Sequence, residues 1–203
     1  MDEIARETGV SKGAVYLEFP NKDALFKAVL HREFARYTGD WLRRFEEDPG
    51  EWSFARMFQH SIGAMNASPL MKALMTRDQQ IYGSFLKRDT ELLALTISMR
   101  GELFSQLQKT GSMRDDIPAL VLAYLISSIG YGLIASDEVI PEDHKVPFDE
   151  ALRGLGLLLD RGLAPTRTKG RKAARALVVA LVEKMQATLR ELEATGAENH
   201  RAA

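Results

Sequence analysis

Apolar side chains recur along this chain at three- and four-residue intervals, the period of helices that turn one face to a core. Leu25, Phe26, Val29, Leu30, Phe34, Tyr37 and Trp41 make one such stripe. Phe54, Met57, Phe58, Ile62 and Met65 make a second, and Leu92, Leu95, Met99, Leu103, Phe104 and Leu107 a third. Ala119 to Ala135 is the longest apolar run, interrupted by Tyr124, Ser127, Ser128, Gly130, Tyr131 and Gly132. Two more helical stretches are predicted from about Phe148 to Gly162 and from Ala173 to Leu192. Valine and isoleucine nowhere alternate with polar residues over a strand's length. The pattern is all-α.

Punctuation sets the boundaries. Ser11 and Asn21 are placed to cap helices. Asp48-Pro49-Gly50-Glu51 has the form of a capping box and predicts a helix start there. Ser68-Pro69 predicts another, Gly111 ends the third stripe, and Pro118 precedes the long apolar run. Asp137 to Pro147 reads as a polar loop, and Pro165 forbids continuation of the helix before it. Three units follow: 1–47, a small head with a connecting helix; 48–165, a helical body; and 166–203, a basic linker, an added helix and a disordered tail.

The first 28 residues hold the most specific pattern. In Ile4-Ala5-Arg6-Glu7-Thr8-Gly9-Val10-Ser11-Lys12-Gly13-Ala14-Val15-Tyr16, Ala5 is small where two helices would cross, and Gly9 can take the positive φ of a tight turn. Ile4, Val10 and Val15 supply an apolar wedge, and Ser11 caps the second helix. Small side chains at Gly13 and Ala14 let that helix approach DNA closely, with its terminal amides toward phosphate. Taken alone, this is equally the pattern of a packed helical hairpin. The continuation Tyr16-Leu17-Glu18-Phe19-Pro20-Asn21-Lys22-Asp23-Ala24-Leu25-Phe26 adds more than a glycine turn. The whole run Ile4–Phe26 resembles the DNA-binding segment of the tetracycline-repressor (TetR) family, of form I-A-x-x-x-G-V-S-x-G-x-x-Y-x-x-F-x-x-K-x-x-L.

That resemblance implies a helix-turn-helix head with Ser11, Lys12, Gly13, Ala14 and Tyr16 in the recognition helix and Lys22 on backbone phosphate. It implies that Phe19 packs the head on the next helix. It also implies a homodimer, closed by the last two core helices, and a double-stranded DNA partner. Family members carry a further helix, usually behind a basic arm, before the helix-turn-helix; here Met1 falls at the start of the motif's first helix. The expectation is a truncated head, with residues 1–20 loosely held.

Composition narrows the rest. The 203 residues include 27 basic and 28 acidic side chains, and residues 1–28 carry four basic against five acidic, so no bulk charge argues for DNA. Zero cysteines remove thiolate metal sites and thiol nucleophiles, and the four histidines form no metal-binding spacing. No enzyme chemistry and no cofactor are expected. The longest apolar run falls short of the roughly 20 residues of a spanning helix, so no membrane partner is expected, and the location is read as cytoplasmic.

Within the body, Met57, Phe58, Met99 and Tyr124 are the candidate lining of an effector pocket for a small apolar molecule, since thioethers and aromatics adapt to varied shapes. The same spacing serves an ordinary core. Tyr82 and Tyr131 are further candidate hydroxyls, and His60 and His144 read as surface or capping groups. Ala119–Ala135 with Leu152–Leu163 is the expected dimer seam, its small residues (Ser127, Ser128, Gly130, Gly132, Gly154, Gly156) permitting close approach. The basic run Arg167, Lys169, Arg171, Lys172, Arg175 reads as a solvated linker and helix start. The added helix is expected to extend the seam. The functional expectation is a DNA-binding repressor released by its effector. The alternative is a helical ligand-binding or protein-interaction dimer without specific DNA binding.

Overall fold

A computed structural model describes residues 1–76, 78–82, 85, 91–164 and 171–201. Among these every regular element is helical. The helices are α1 (Asp2–Thr8), α2 (Lys12–Glu18), α3 (Lys22–Glu47), α4 (Phe54–Asn66), α5 (Pro69–Thr76) and α6 (Gln79–Tyr82), followed by α7 (Glu91–Lys109), α8 (Ala119–Val139), α9 (Phe148–Leu163) and α10 (Arg171–Arg201), with a 3-10 turn at Glu142–His144. Leu92 and Leu95, and the basic positions Arg167, Lys169, Arg171 and Lys172, lie outside the residues whose side chains are described.

The body packs around α3 and α4. Helix α9 lies on α4, α10 on α3 and α7, and α8 on α7 and α5. One core joins Phe34, Tyr37, Trp41 and Phe45 of α3 to Phe54 and Phe58 of α4, Phe104 and Leu107 of α7, and Val178 and Val182 of α10. Phe54 meets Phe104 edge-on at 5.2 Å, the arrangement favoured by ring quadrupoles. A second cluster joins Leu30 of α3 to Ala73, Tyr82 and Phe85, with Phe26 edge-on to both rings at 5.4 and 4.9 Å.

Several boundaries differ from expectation for physical reasons. Helix α4 starts at Phe54, not in the Asp48–Glu51 segment, because Ser53 Oγ accepts from the Arg56 amide at 3.2 Å. Asp48 instead ends α3, where its carboxylate accepts from the Gly50 amide at 2.8 Å and from Arg56 Nε at 2.9 Å. His60 Nε2 lies 2.6 Å from the same carboxylate, so His60 is an interior partner rather than a surface group. Helix α8 runs on to Val139, shortening the expected loop. Its stretch Ala119–Ser136, with mean hydropathy 1.8, is long and apolar enough to cross a membrane by length and composition. Helix α10 continues to Arg201, beyond the expected end at Leu192.

Helix α10 forms a wall of the body. Ala174, Val178 and Val182 are fully buried. Arg175 donates to the carbonyls of Phe45 and Glu46 at 3.1 and 3.0 Å, with its guanidinium 5.0 Å from the Phe45 ring. It therefore satisfies carbonyls that the end of α3 leaves without intrahelical partners.

The Arg56 guanidinium, opposed by burial and aided by His60 and the Gly50 amide, holds the Asp48 carboxyl below the ordinary carboxylate range. A lowered folded value means stabilisation that is complete above the ordinary pKa of 3.8 and is lost as pH falls through the lowered one. Asp48→Asn should cost about 1–2 kcal/mol at neutral pH, a charged hydrogen bond discounted for its half-exposed partner. It should also flatten the loss of stability between about pH 5 and 2, read as urea midpoints.

Candidate nucleic-acid interface and effector cavity

The head is built on two short helices and one glycine. Gly9 ends α1 at φ 70°, ψ 16°, in the left-handed region that costs other residues about 1 kcal/mol or more. Its amide donates to the Arg6 carbonyl at 3.3 Å, and the Val10 amide to that of Ala5 at 3.2 Å. Ser11 takes an extended conformation and its Oγ accepts from the Ala14 amide at 3.1 Å, capping α2. Asn21 does the same for α3 through the Ala24 amide at 2.8 Å.

Ala5 and Val15 are the buried side chains of residues 1–20. Val10, expected in the wedge, is 48% exposed, and Leu17 is 83% exposed. Both helices are formed, on a thin apolar contact. Ser11, Lys12, Gly13, Ala14, Tyr16 and Lys22 are all exposed. Lys12 Nζ pairs with Asp2 Oδ2 at 2.8 Å and lies 5.9 Å from the centre of the Tyr16 ring. Through this bond Lys12 lowers the pKa of the Asp2 carboxyl and Asp2 raises that of the Lys12 ammonium.

Deep in the body lies a cavity of about 100 Å³, several waters' worth of space at ~30 Å³ each. Phe34, Tyr37 and Trp41 of α3 form one wall; Met57, Phe58 and Met65 of α4 form the next. Met99, Arg100 and Leu103 of α7, Ile126, Ser127 and Gly130 of α8, and Leu181 and Met185 of α10 close it. The Tyr37 hydroxyl shares a 2.8 Å hydrogen bond with Ser61, and burial pushes its pKa up against that bond and the nearby Arg100. Arg100 Nη1 donates to Ser127 Oγ at 2.6 Å, and Ser127 in turn donates to the Ala123 carbonyl at 2.5 Å. Burial pulls the Arg100 guanidinium below its ordinary value, opposed by Tyr37. Among the described residues, none accepts a hydrogen bond from the buried Trp41 Nε1.

Three of the four candidate effector residues meet here: Met57, Phe58 and Met99. Tyr124 does not, being 71% exposed on the outer side of α8. A helix turns about 100° per residue, so Tyr124 points almost opposite to Ile126, which faces the cavity. Tyr131 is also exposed, and the Tyr82 hydroxyl donates to the Leu70 carbonyl at 2.8 Å in the second cluster. Arg100 joins Met57, Phe58 and Met99 on the wall without having been a candidate, and Trp41 joins from the first apolar stripe. The signal of Arg100 was present: it stands three, four and seven residues before Leu103, Phe104 and Leu107, a charge within an apolar stripe.

Two glycines change sides as well. A Cβ on Gly130 would stand 3.0 Å from Ile62 Cδ1 and 3.5 Å from Met75 and Phe58, so Gly130 borders the cavity. One on Gly156 would strike the Gln59 side chain of α4. Both are intramolecular packing positions rather than seam positions.

Residues 1–29 match the family described as bacterial regulatory proteins, tetR family. That match covers the head alone, 29 of the 203 residues. No curated protein matches the sequence as a relative. A solved TetR family transcriptional regulator from Chloroflexus aurantiacus J-10-FL is similar over 93% of this chain and 82% of that one, at 16% identity and a TM-score of 0.41. The exposed positions of the matched segment and the cavity wall thus lie on elements joined by one helix, α3.

Gly130→Val should overpack the wall beside Ile62, costing about 1–3 kcal/mol. The urea midpoint should fall while the sedimentation coefficient stays that of the parent. A variant that changed assembly instead would put Gly130 in a seam.

Proposed function

We propose that this chain is a cytoplasmic, homodimeric DNA-binding repressor of the tetR type, released by a small and largely apolar effector held in the body cavity. The observation that carries the reading is α3. Its first turn follows directly from the recognition helix, while Phe34, Tyr37 and Trp41 on the same helix form a cavity wall.

On DNA, α2 enters the major groove with Gly13 and Ala14 at its leading end, and Tyr16 and Lys22 reach the backbone. Lys12 exchanges Asp2 for a phosphate, an exchange of one exposed ion pair for another that costs little. The head carries no net basic charge, so affinity depends on a few placed contacts rather than on a broad positive field.

Dimerisation is supported by apolar surface that the single chain leaves open. Leu120, Val121, Tyr124, Leu125 and Ile129 of α8 and Leu157 and Leu158 of α9 are exposed. Contiguous leucines of this kind mark contact surfaces more often than solvent faces. A dimer sets the spacing of two recognition helices to one turn of DNA, and the effector favours a conformer with another spacing.

Gel shifts at two salt concentrations test the DNA assignment. Lys22→Ala should weaken binding to every sequence and lower the salt slope by about one, as loss of a single phosphate contact does. Tyr16→Ala should weaken binding with the body still folded. Both variants matching the parent would refute the reading. For assembly, Leu158→Glu should convert a micromolar dimer to monomer in sedimentation, because it sets a charge in an apolar contact. A parent that sediments as a monomer would rule the dimer out.

A further inference from the structure

The cavity is apolar in its walls but not in its chemistry. Arg100 brings a guanidinium, with five N–H donors and no acceptor, among Met99, Leu103 and aromatic rings. One of those donors goes to Ser127. Among the described residues no carboxylate is paired with it, and the charged or titratable neighbour that acts on it is the Tyr37 phenol. Nearby acids are engaged elsewhere. Asp40 of α3 holds Arg43 and Arg44 at 2.5 and 2.7 Å, and Glu102 of α7 faces Lys184 at 3.9 Å.

A second donor is also unanswered. Trp41 is 6% exposed, lines the same cavity, stacks on Tyr37 at 6.3 Å, and its Nε1 has no acceptor. Proteins bury charges paired and polar groups bonded, because the alternative forfeits their hydration. A cavity that offers a cation and an orphan N–H, and no free anion, is complementary to an acceptor that arrives from outside.

We propose that the effector is an organic monoanion, an apolar body bearing one carboxylate, with Arg100 receiving the carboxylate. This rests on the reading of the cavity as an effector site and specifies its ligand class. A planar guanidinium fork matches a carboxylate in geometry and charge, and one cation balances one negative charge. Met57, Phe58 and Met99 accommodate the apolar body, with Gly130 leaving room beside Phe58. Trp41 Nε1 supplies a further donor on the opposite helix.

Calorimetric titration of the full chain at pH 8 with two matched pairs, benzoate against benzamide and octanoate against octanamide, tests this. The carboxylates should bind at least about tenfold more tightly than the amides, the gain expected for a charge-assisted bond in a low-dielectric site. Arg100→Met, similar in length and apolar, should erase that preference while keeping amide affinity within about threefold. Should Arg100→Met fail to fold, the carboxylate-to-amide ratio in the parent decides alone. Equal or tighter amide binding would overturn the proposal and leave the effector cavity standing. Tighter binding of octyl phosphate than of octanoate would overturn the monoanion assignment. Failure of all four ligands to bind would overturn the effector reading and this proposal together.

Discussion

Everything functional in this molecule hangs on α3 being one unbroken helix. Its 26 residues span roughly 39 Å at 1.5 Å per residue, so the head and the cavity wall are fixed points on a single stiff rod. The C-terminal end is fastened, since Arg175 holds the carbonyls of Phe45 and Glu46 and Asp48 is clamped by Arg56 and His60. The N-terminal end follows α2 and rests on the lighter contact of Phe26 with Tyr82 and Phe85. A rod pinned at one end and pushed near Trp41 moves most at the other. A tilt of about 5° displaces the far end by roughly 3 Å, enough to spoil a fit to DNA.

The second cluster gives that motion a direction. Leu30 and Phe26 of α3 meet Ala73 and Leu74 of α5, and α5 in turn packs on α8, where Gly130 borders the cavity beside Met75. In the proposed reading a ligand would meet α3 directly at Tyr37 and Trp41, and its N-terminal half indirectly through α5. Packed elements of this kind shift between discrete arrangements rather than deform smoothly, which is what a switch requires.

How much of this was legible in the sequence depends on the distance over which each signal acts. Gly9, Ser11 and Asn21 carry their meaning locally, and each takes the turn or cap its residue type favours. The helical periods were equally readable, because burial repeats along one element. Asp48 misled because a cap and an ion pair use the same carboxylate, and the partner His60 stands 12 residues away. Tyr124, Gly130 and Gly156 misled for a different reason. Helix α8 is apolar nearly all round, with Leu122 and Ile126 on the core side and Tyr124 and Leu125 on the outer side, so composition could not tell which side faces inward. The role of α10 was hidden entirely, since its contacts are with α3, about 130 residues earlier in the chain, and with α7.

Arg100 shows where a residue that breaks a pattern is the informative one. An empty cavity lined by unanswered donors is less stable than one lined by methyl groups, so such donors persist where something other than folding uses them. A ligand that answers them gains energy only in the conformer that keeps Arg100, Ser127 and Trp41 around it. That difference between conformers, not the tightness of binding itself, sets how far α3 and its head can be shifted. A purely apolar ligand would press on Met57, Phe58 and Met99 in much the same way in either conformer. A ligand held by a directional charge-assisted bond to Arg100 would discriminate between them, because such a bond weakens steeply as distance and angle depart from the ideal.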